Sequence, residues 1–141
     1  MERGKLDFYA SLKETPGIAI YLDKSSVNKY RVALTMMRTS SHKFPIEVGR
    51  YQKITRNNRL CPFGCNILGN EIHYMFECRH PLIERIYLPI INETERLNPR
   101  FKCMAIKEKC KYLLSNNDPK IINLAGKLCF KLHEMYKMLT F

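Results

Sequence analysis

The sequence predicts a small, mostly α-helical domain. Apolar residues recur at helical spacing in four segments, and no segment alternates convincingly with a period of two. The 141 residues suffice for one domain, and a hydrophobic content of 45% is too high for a disordered basic tail. We therefore expect residues 1–141 to form a single domain, with a helix and turn at 26–60, a loop at 61–80 and C-terminal helices at 81–139.

The first helix is predicted at residues 26–39, behind an N-cap at Ser25 or Ser26. Its apolar side chains share one narrow arc: Val27, Tyr30, Leu34 and Met37. A shorter helix is predicted at 81–92 from the spacing of Leu82, Ile83, Ile86 and Ile90. Pro89 is expected to strain the end of that helix, because proline lacks the N–H that the helix interior needs.

Two further helices are predicted near the C-terminus. The first, at 100–115, has an apolar arc of Cys103, Ile106, Cys110, Leu113 and Leu114. The last helix, at 119–139, begins with Asp118 as its N-cap and Pro119 at the first helical position. Its predicted buried face comprises Ile121, Ala125, Leu128, Leu132, Tyr136 and Leu139, and Lys120, Lys127 and Lys131 align beside that face.

The six cysteines divide into two groups. Cys103, Cys110 and Cys129 lie on or beside apolar helix faces, where a free cysteine packs as a small hydrophobic residue. The remaining three occur with a histidine in the pattern C-x3-C-x7-H-x4-C, formed by Cys61, Cys65, His73 and Cys78. A turn with Gly64 can present the first two thiolates to one metal, and a helix capped by Asn70 can present the second pair.

Three thiolates and an imidazole suit Zn2+, and four protein ligands leave no open position, so the expected zinc is structural. The sequence thus predicts a helical domain with an inserted zinc-stapled loop at 61–80. His80 is an alternative fourth ligand. The plainer alternative is three buried cysteines beside an unrelated histidine.

The net charge of +11 is unevenly distributed. Residues 1–60 hold 12 basic and 5 acidic side chains, residues 61–100 hold 4 and 5, and residues 101–141 hold 8 and 3. Cations interleaved with aromatic rings are typical of surfaces that bind single-stranded nucleic acid. The predicted contacts with RNA or DNA are Arg38, His42, Lys43, Arg50, Tyr51, Lys53, Arg56 and Arg59, with Phe44 interleaved. There are two alternatives. The basic side chains form a solvated face while the aromatic rings pack in the core, or Glu47 forms an internal ion pair with arginine.

Several classes of protein are disfavoured. The longest apolar stretches, 17–22 and 88–91, are too short for a membrane span, and the charged start does not resemble a signal peptide. The expected location is intracellular, nuclear or cytoplasmic.

No Ser/His/Asp or paired-carboxylate arrangement occurs, so we expect no catalytic residues and no enzymatic activity in this chain.

Four short segments carry a resemblance to a known family. They are Arg38-Thr-Ser-Ser-His42 with Ile46-Glu47-Val-Gly49-Arg50-Tyr51, and Arg59-Leu-Cys61-Pro-Phe with Glu71-Ile-His73-Tyr-Met-Phe-Glu-Cys78. Together they resemble the C-terminal zinc-binding region of reverse transcriptases encoded by animal non-LTR retrotransposons. The resemblance covers roughly residues 26–85 and implies that Cys61, Cys65, His73 and Cys78 are the ligands. The family usually has C-x2-C in the first pair, whereas this chain has C-x3-C.

The resemblance places the chain downstream of a polymerase, and no Asp-Asp dipeptide for catalytic Mg2+ occurs in it. The predicted function is therefore a zinc-binding, non-catalytic module that holds RNA, single-stranded DNA or target DNA, with a reverse transcriptase polypeptide as a partner. The alternative is a zinc-stabilised structural or protein-interaction domain.

Overall fold

The computed structural model describes residues 28–39, 42 and 44–140. The described residues form helices and turns, with no strand beyond one antiparallel bridge between Leu60 and Leu68. The mostly α-helical fold is confirmed. The helices are α1 (Asn28–Arg38), α2 (Pro45–Tyr51), α3 (Pro81–Leu97), α4 (Ile106–Leu114) and α5 (Pro119–Thr140).

Helices α1 and α5 agree with the predicted segments. Leu34 and Met37 of α1 are buried as predicted, whereas Ser25, Ser26 and Val27 lie outside the described residues. Helix α5 begins at the predicted cap, where the Asp118 carboxylate accepts the Lys120 N–H at 3.0 Å. Most of its predicted apolar face is buried, and Leu139 is half-buried.

Two boundary predictions were wrong. Helix α3 ends at Leu97 and not at residue 92. It accommodates Pro89 because Pro89 and Arg85 are exposed, so water can solvate the carbonyl that lacks its N–H partner. Helix α4 begins only at Ile106, since residues Pro99–Cys103 form a separate 3-10 turn. Cys103 is therefore exposed and not part of the apolar arc, whereas Cys110 and Cys129 are buried as predicted.

Helix α5 is the central element, and α1, α3 and α4 all pack against it. Helices α1 and α5 are in close contact at Gly126. A Cβ atom at position 126 would lie 2.7 Å from the Tyr30 Cβ and 3.4 Å from the Tyr30 Cα. The buried His133 ring on α5 also lies 3.3 Å from the Ala33 carbonyl oxygen of α1.

Arg38 joins α1 to α4. Its side chain is buried, and its Nη1 donates to the Leu114 carbonyl and, at 3.1 Å, to the Ser115 hydroxyl. Leu114 is the last residue of α4, where helix carbonyls lack intrahelical partners and a cation is favoured. None of the helices in the described part of the chain combines the length and apolar content needed to cross a bilayer.

Gly126→Ala should lower the free energy of unfolding by about 1–2 kcal/mol. Forcing α1 away from α5 costs about 1–3 kcal/mol, and the better helix propensity of alanine returns up to about 1 kcal/mol. Urea denaturation measures the difference. Lys127→Ala, at the next and exposed position, is the control and should change stability by less than about 0.5 kcal/mol. An alanine variant at position 126 as stable as the natural chain would contradict this account of the helix contact.

Candidate metal centre

The first two cysteines lie on a short, tightly turned loop. The Cys61 N–H donates to the Ile67 carbonyl at 2.8 Å, and the Gly69 N–H donates to the Arg59 carbonyl at 2.9 Å. The chain reverses direction between these bonds with Gly64 at φ +85° and Asn66 at φ +54°. Glycine and asparagine are the residues that tolerate this left-handed backbone best. The turn brings Cys65 back beside Cys61.

His73 and Cys78 lie at the two ends of one wide helical turn. Asn70 caps this segment as predicted, since its Oδ1 accepts the His73 N–H at 2.9 Å. Residues His73–Glu77 form a π-helical turn, closed by the Cys78 N–H donating to the His73 carbonyl at 2.7 Å. Cys78 itself has an extended backbone. Ending the helix there directs the Cys78 side chain toward the loop cysteines.

The four predicted ligands converge. Their ligand atoms all lie within 4.8 Å of one another, and the set comprises Cys61, Cys65, His73 and Cys78. The Sγ atom of Cys78 lies 3.9 Å from that of Cys61 and 4.0 Å from that of Cys65. A tetrahedral zinc with Zn–S bonds of about 2.3 Å requires S···S separations of about 3.8 Å. The arrangement is compatible with a metal such as zinc.

The His73 ring provides an independent test of fit. The residue is fully buried, and neither ring nitrogen has a hydrogen-bond partner. Leaving buried polar atoms unpaired costs free energy, on the order of 1–3 kcal/mol for each group. A metal ion bound to one nitrogen would satisfy that atom, so the donor set fits a Cys3His site. All six cysteines lie in the described part of the chain, and none of them is in a disulfide.

The thiols of this centre differ electrostatically from the packing thiols. A hydrogen bond from Cys78 lowers the pKa of Cys61, and the same bond raises the pKa of Cys78. The Arg79 N–H also donates to Cys65 Sγ at 3.4 Å. By contrast, burial raises the pKa of Cys110 to about 12 and raises that of Cys129 as well, so both remain neutral packing groups.

Aromatic rings attach the ligand loop to the helices. Phe63, between the two loop cysteines, lies 5.9 Å from the Tyr136 ring of α5. Tyr74, which follows ligand His73, lies 5.2 Å from the same ring and 4.5 Å from Phe44. Such contacts add to the burial of apolar area. The metal centre is thus positioned by α5 as well as by its own loop.

His80 lies outside the centre. Its ring Nδ1 accepts the Leu82 N–H at 3.2 Å, and the residue is the N-cap of α3. The structure therefore favours His73 over His80 as the fourth ligand. The Tyr87 hydroxyl donates to the Cys78 carbonyl at 2.8 Å, which ties α3 to the centre at a second point.

Three of the predicted nucleic-acid contacts are directed inward, which corrects the prediction for them. Besides Arg38, they are Arg59 and His42, both buried. Arg59 crosses Gly49 and donates to the carbonyls of Ile46, at 3.1 Å, and Ile54, at 2.9 Å. His42 accepts the Phe44 N–H at Nδ1, and its Nε2 lies 3.5 Å from Glu71. Buried polar side chains need hydrogen-bond partners inside the protein, and these three side chains have theirs there and not at the surface.

Four predicted contacts between residues 50 and 56 are accessible: Tyr51, Lys53 and Arg56 are exposed, and Arg50 is half-buried. Tyr51 is 72% exposed, and the Arg50 guanidinium lies 5.1 Å from its ring centroid. Arg50 also pairs with Glu47 at 3.2 Å, so the anticipated internal ion pair exists. Lys43 lies outside the described residues. Phe44, interleaved among the predicted contacts, is buried and cannot meet a base.

Sequence reasoning missed the apolar part of this surface. Ile54, Leu60 and Ile67 are each between 37% and 40% exposed. The Ile54 carbonyl accepts from Arg59, and the backbones of Leu60 and Leu68 are paired, so the turn and the metal loop are contiguous. Isolated apolar residues in a turn carry no sequence signal that separates surface from core.

No protein-family model, curated protein or solved structure matches this chain.

Replacing one ligand should abolish stable metal binding. We expect the purified protein to hold about one zinc per chain, and Cys65→Ser to lose most of it, because a neutral serine hydroxyl replaces a thiolate. Mass-spectrometric metal analysis measures zinc content, and hydrogen exchange measures the order of residues 61–80.

Cys103→Ser is the matched control, since Cys103 is exposed and outside the ligand cluster. It should leave both zinc content and exchange unchanged. Equal metal content in the two variants would show that the cluster is not the binding site.

Proposed function

We propose that this chain is a zinc-stabilised module that binds single-stranded nucleic acid and has no catalytic activity of its own. The observation that carries the proposal is the exposed Tyr51 ring with the Arg50 guanidinium near it, followed along the chain by the exposed cations Lys53 and Arg56. We call these four residues the Tyr51 surface.

The chemistry of this surface suits an unpaired strand. An exposed aromatic ring can stack a base, and neighbouring cations can neutralise the phosphates on either side of it. Arg50 already lies near the Tyr51 ring, where its guanidinium can add a cation–π contribution. The π-face of a ring accepts any base, so the expected binding is tolerant of sequence.

In this proposal the zinc has a structural role. Four protein ligands would occupy a tetrahedral ion completely, so the metal would order the loop and would not activate water. Arg59 then transmits that order, since its backbone pairs with Gly69 of the loop and its side chain holds the turn after α2. The Tyr51 surface would be preformed before the nucleic acid arrives.

We further propose that the module derives from the C-terminal region of a non-LTR retrotransposon reverse transcriptase, with a polymerase polypeptide as its partner. The residues that carry the resemblance support this reading through their structural roles. Arg38 caps α4, Gly49 leaves room for Arg59, and the Cys/His pattern forms one cluster.

Removing the stacking ring should weaken binding. Tyr51→Ala should bind a fluorescent 15-nucleotide RNA or DNA strand roughly 5- to 150-fold more weakly, since a stacked base contributes about 1–3 kcal/mol. Tyr51→Phe keeps the ring and should retain most of the affinity. Fluorescence anisotropy measures both variants.

Neutralising the cations should change the salt dependence. Lys53→Gln with Arg56→Gln should reduce the slope of log affinity against log salt by about 1.4, because each single-strand phosphate contact contributes about 0.7. Leu88→Ala, an exposed site on α3, is the control for nonspecific effects. Unchanged affinity and slope in the Tyr51 and Lys53/Arg56 variants would exclude the Tyr51 surface as the binding site.

A second candidate function is favoured by one observation. The side chains of Ile54, Leu60 and Ile67, in the turn and the metal loop that follow Tyr51, are exposed, and exposed apolar side chains suit a protein partner. In that case the zinc would serve only to order a protein-interaction surface. Titration with salt separates the two: nucleic-acid affinity falls steeply, whereas an apolar protein contact depends much less on salt.

A further inference from the structure

Helix α5 presents a second cationic surface that the Tyr51 surface does not include. Lys120, Lys127 and Lys131 are all exposed and lie within about 40° of one another around the helix axis. At about 1.5 Å per residue, the first two are about 10 Å apart along the axis and the last two about 6 Å. We call these three residues the α5 lysine face.

The cations of this face are not neutralised by neighbours. None of the three lysines forms an ion pair within the described part of the chain. Two acidic groups lie nearby, one at the cap of α5 and one on the helix, and each has another partner. Asp118 accepts the Lys120 N–H as the helix cap, and Glu134 pairs with Lys137 at 3.6 Å.

Helix α1 adds a further cation near the α5 lysine face. The Lys29 Nζ lies 4.9 Å from the centroid of the Phe130 ring, on the side of α5 where Gly126 allows α1 to approach. Cation–π contact of this kind holds the ammonium group near the ring. A fourth cation thus borders the α5 lysine face.

The form of the face favours a rigid, regular polyanion. It lies on a 22-residue helix and contains no exposed aromatic ring to stack an unpaired base, because the bordering Phe130 is half-buried beneath Lys29. A lipid surface would require apolar side chains among the cations, and most of the apolar side of α5 is buried in the core. Met138 is exposed and in line with the lysines, but it lies beyond Lys131 and not between them. Double-stranded nucleic acid has dense, evenly spaced phosphates, which suits point charges on a straight helix.

We propose that the α5 lysine face binds the phosphate backbone of double-stranded nucleic acid. The face is separate from the Tyr51 surface, so this inference extends the proposed function and can fail while that function stands. Binding there reads no base, since lysines that meet phosphates position a duplex without specifying its sequence.

The test compares two triple variants of the full chain on one 20-base-pair duplex. The first, Lys120→Gln, Lys127→Gln and Lys131→Gln, removes the α5 lysine face and keeps good helix formers in place. The second, Arg100→Gln, Lys102→Gln and Lys107→Gln, removes the same number of exposed charges before and at the start of α4. Anisotropy is measured from 50 to 300 mM salt, and circular dichroism checks that both variants remain helical.

The first variant should bind the duplex at least about tenfold more weakly at 100 mM salt, with a salt slope reduced by about 2.7, since each duplex phosphate contact contributes about 0.9. The second variant should change much less. Equal losses in both variants, or no loss in the first, would overturn the proposal. Tyr51→Ala, measured on a single strand in parallel, distinguishes this failure from failure of the Tyr51 surface.

Discussion

The convergence of four ligand atoms within 4.8 Å of one another is the constraint on which the rest of the structure depends. Two donors come from a reversed turn and two from the ends of a π-helical turn, so both segments must adopt these backbone shapes for the atoms to meet. The centre also joins the two halves of the domain. Arg59 precedes it and holds α2, whereas His80 follows it and caps α3.

The net charge of +11 overstates the cationic surface, because part of it serves the fold. Arg38 and Arg59 direct their guanidinium groups at backbone carbonyls, for which arginine is well suited because it has five N–H donors in a planar arrangement. Two groups of the other cations form separate surfaces with different chemistry. One contains an aromatic ring at Tyr51, and the other is a row of lysines on a straight helix.

Local features were predictable where one segment alone determines them. The cap at Asp118, the apolar periodicity of α5 and the cap at Asn70 depend on neighbours within a few residues, and all three predictions agree with the structure. Predictions failed where the outcome depends on solvent or on distant packing. Helix α3 extends to Leu97, five residues beyond its predicted end, because the exposed side of the helix accommodates Pro89, and Cys103 is excluded from α4 by a 3-10 turn.

The sequence by itself determined the helical class and the four metal-ligand candidates, because periodicity and residue spacing are properties of contiguous chain. Only the tertiary structure decided which cations remain at the surface. Arg38 is internal because the end of α4, 76 residues away, supplies an acceptor carbonyl. The π-helical turn that aligns His73 with Cys78 is likewise closed inside the packed domain, where a buried ligand must point at its partners. Burial with a distant partner is a property of the fold, and no local pattern encodes it.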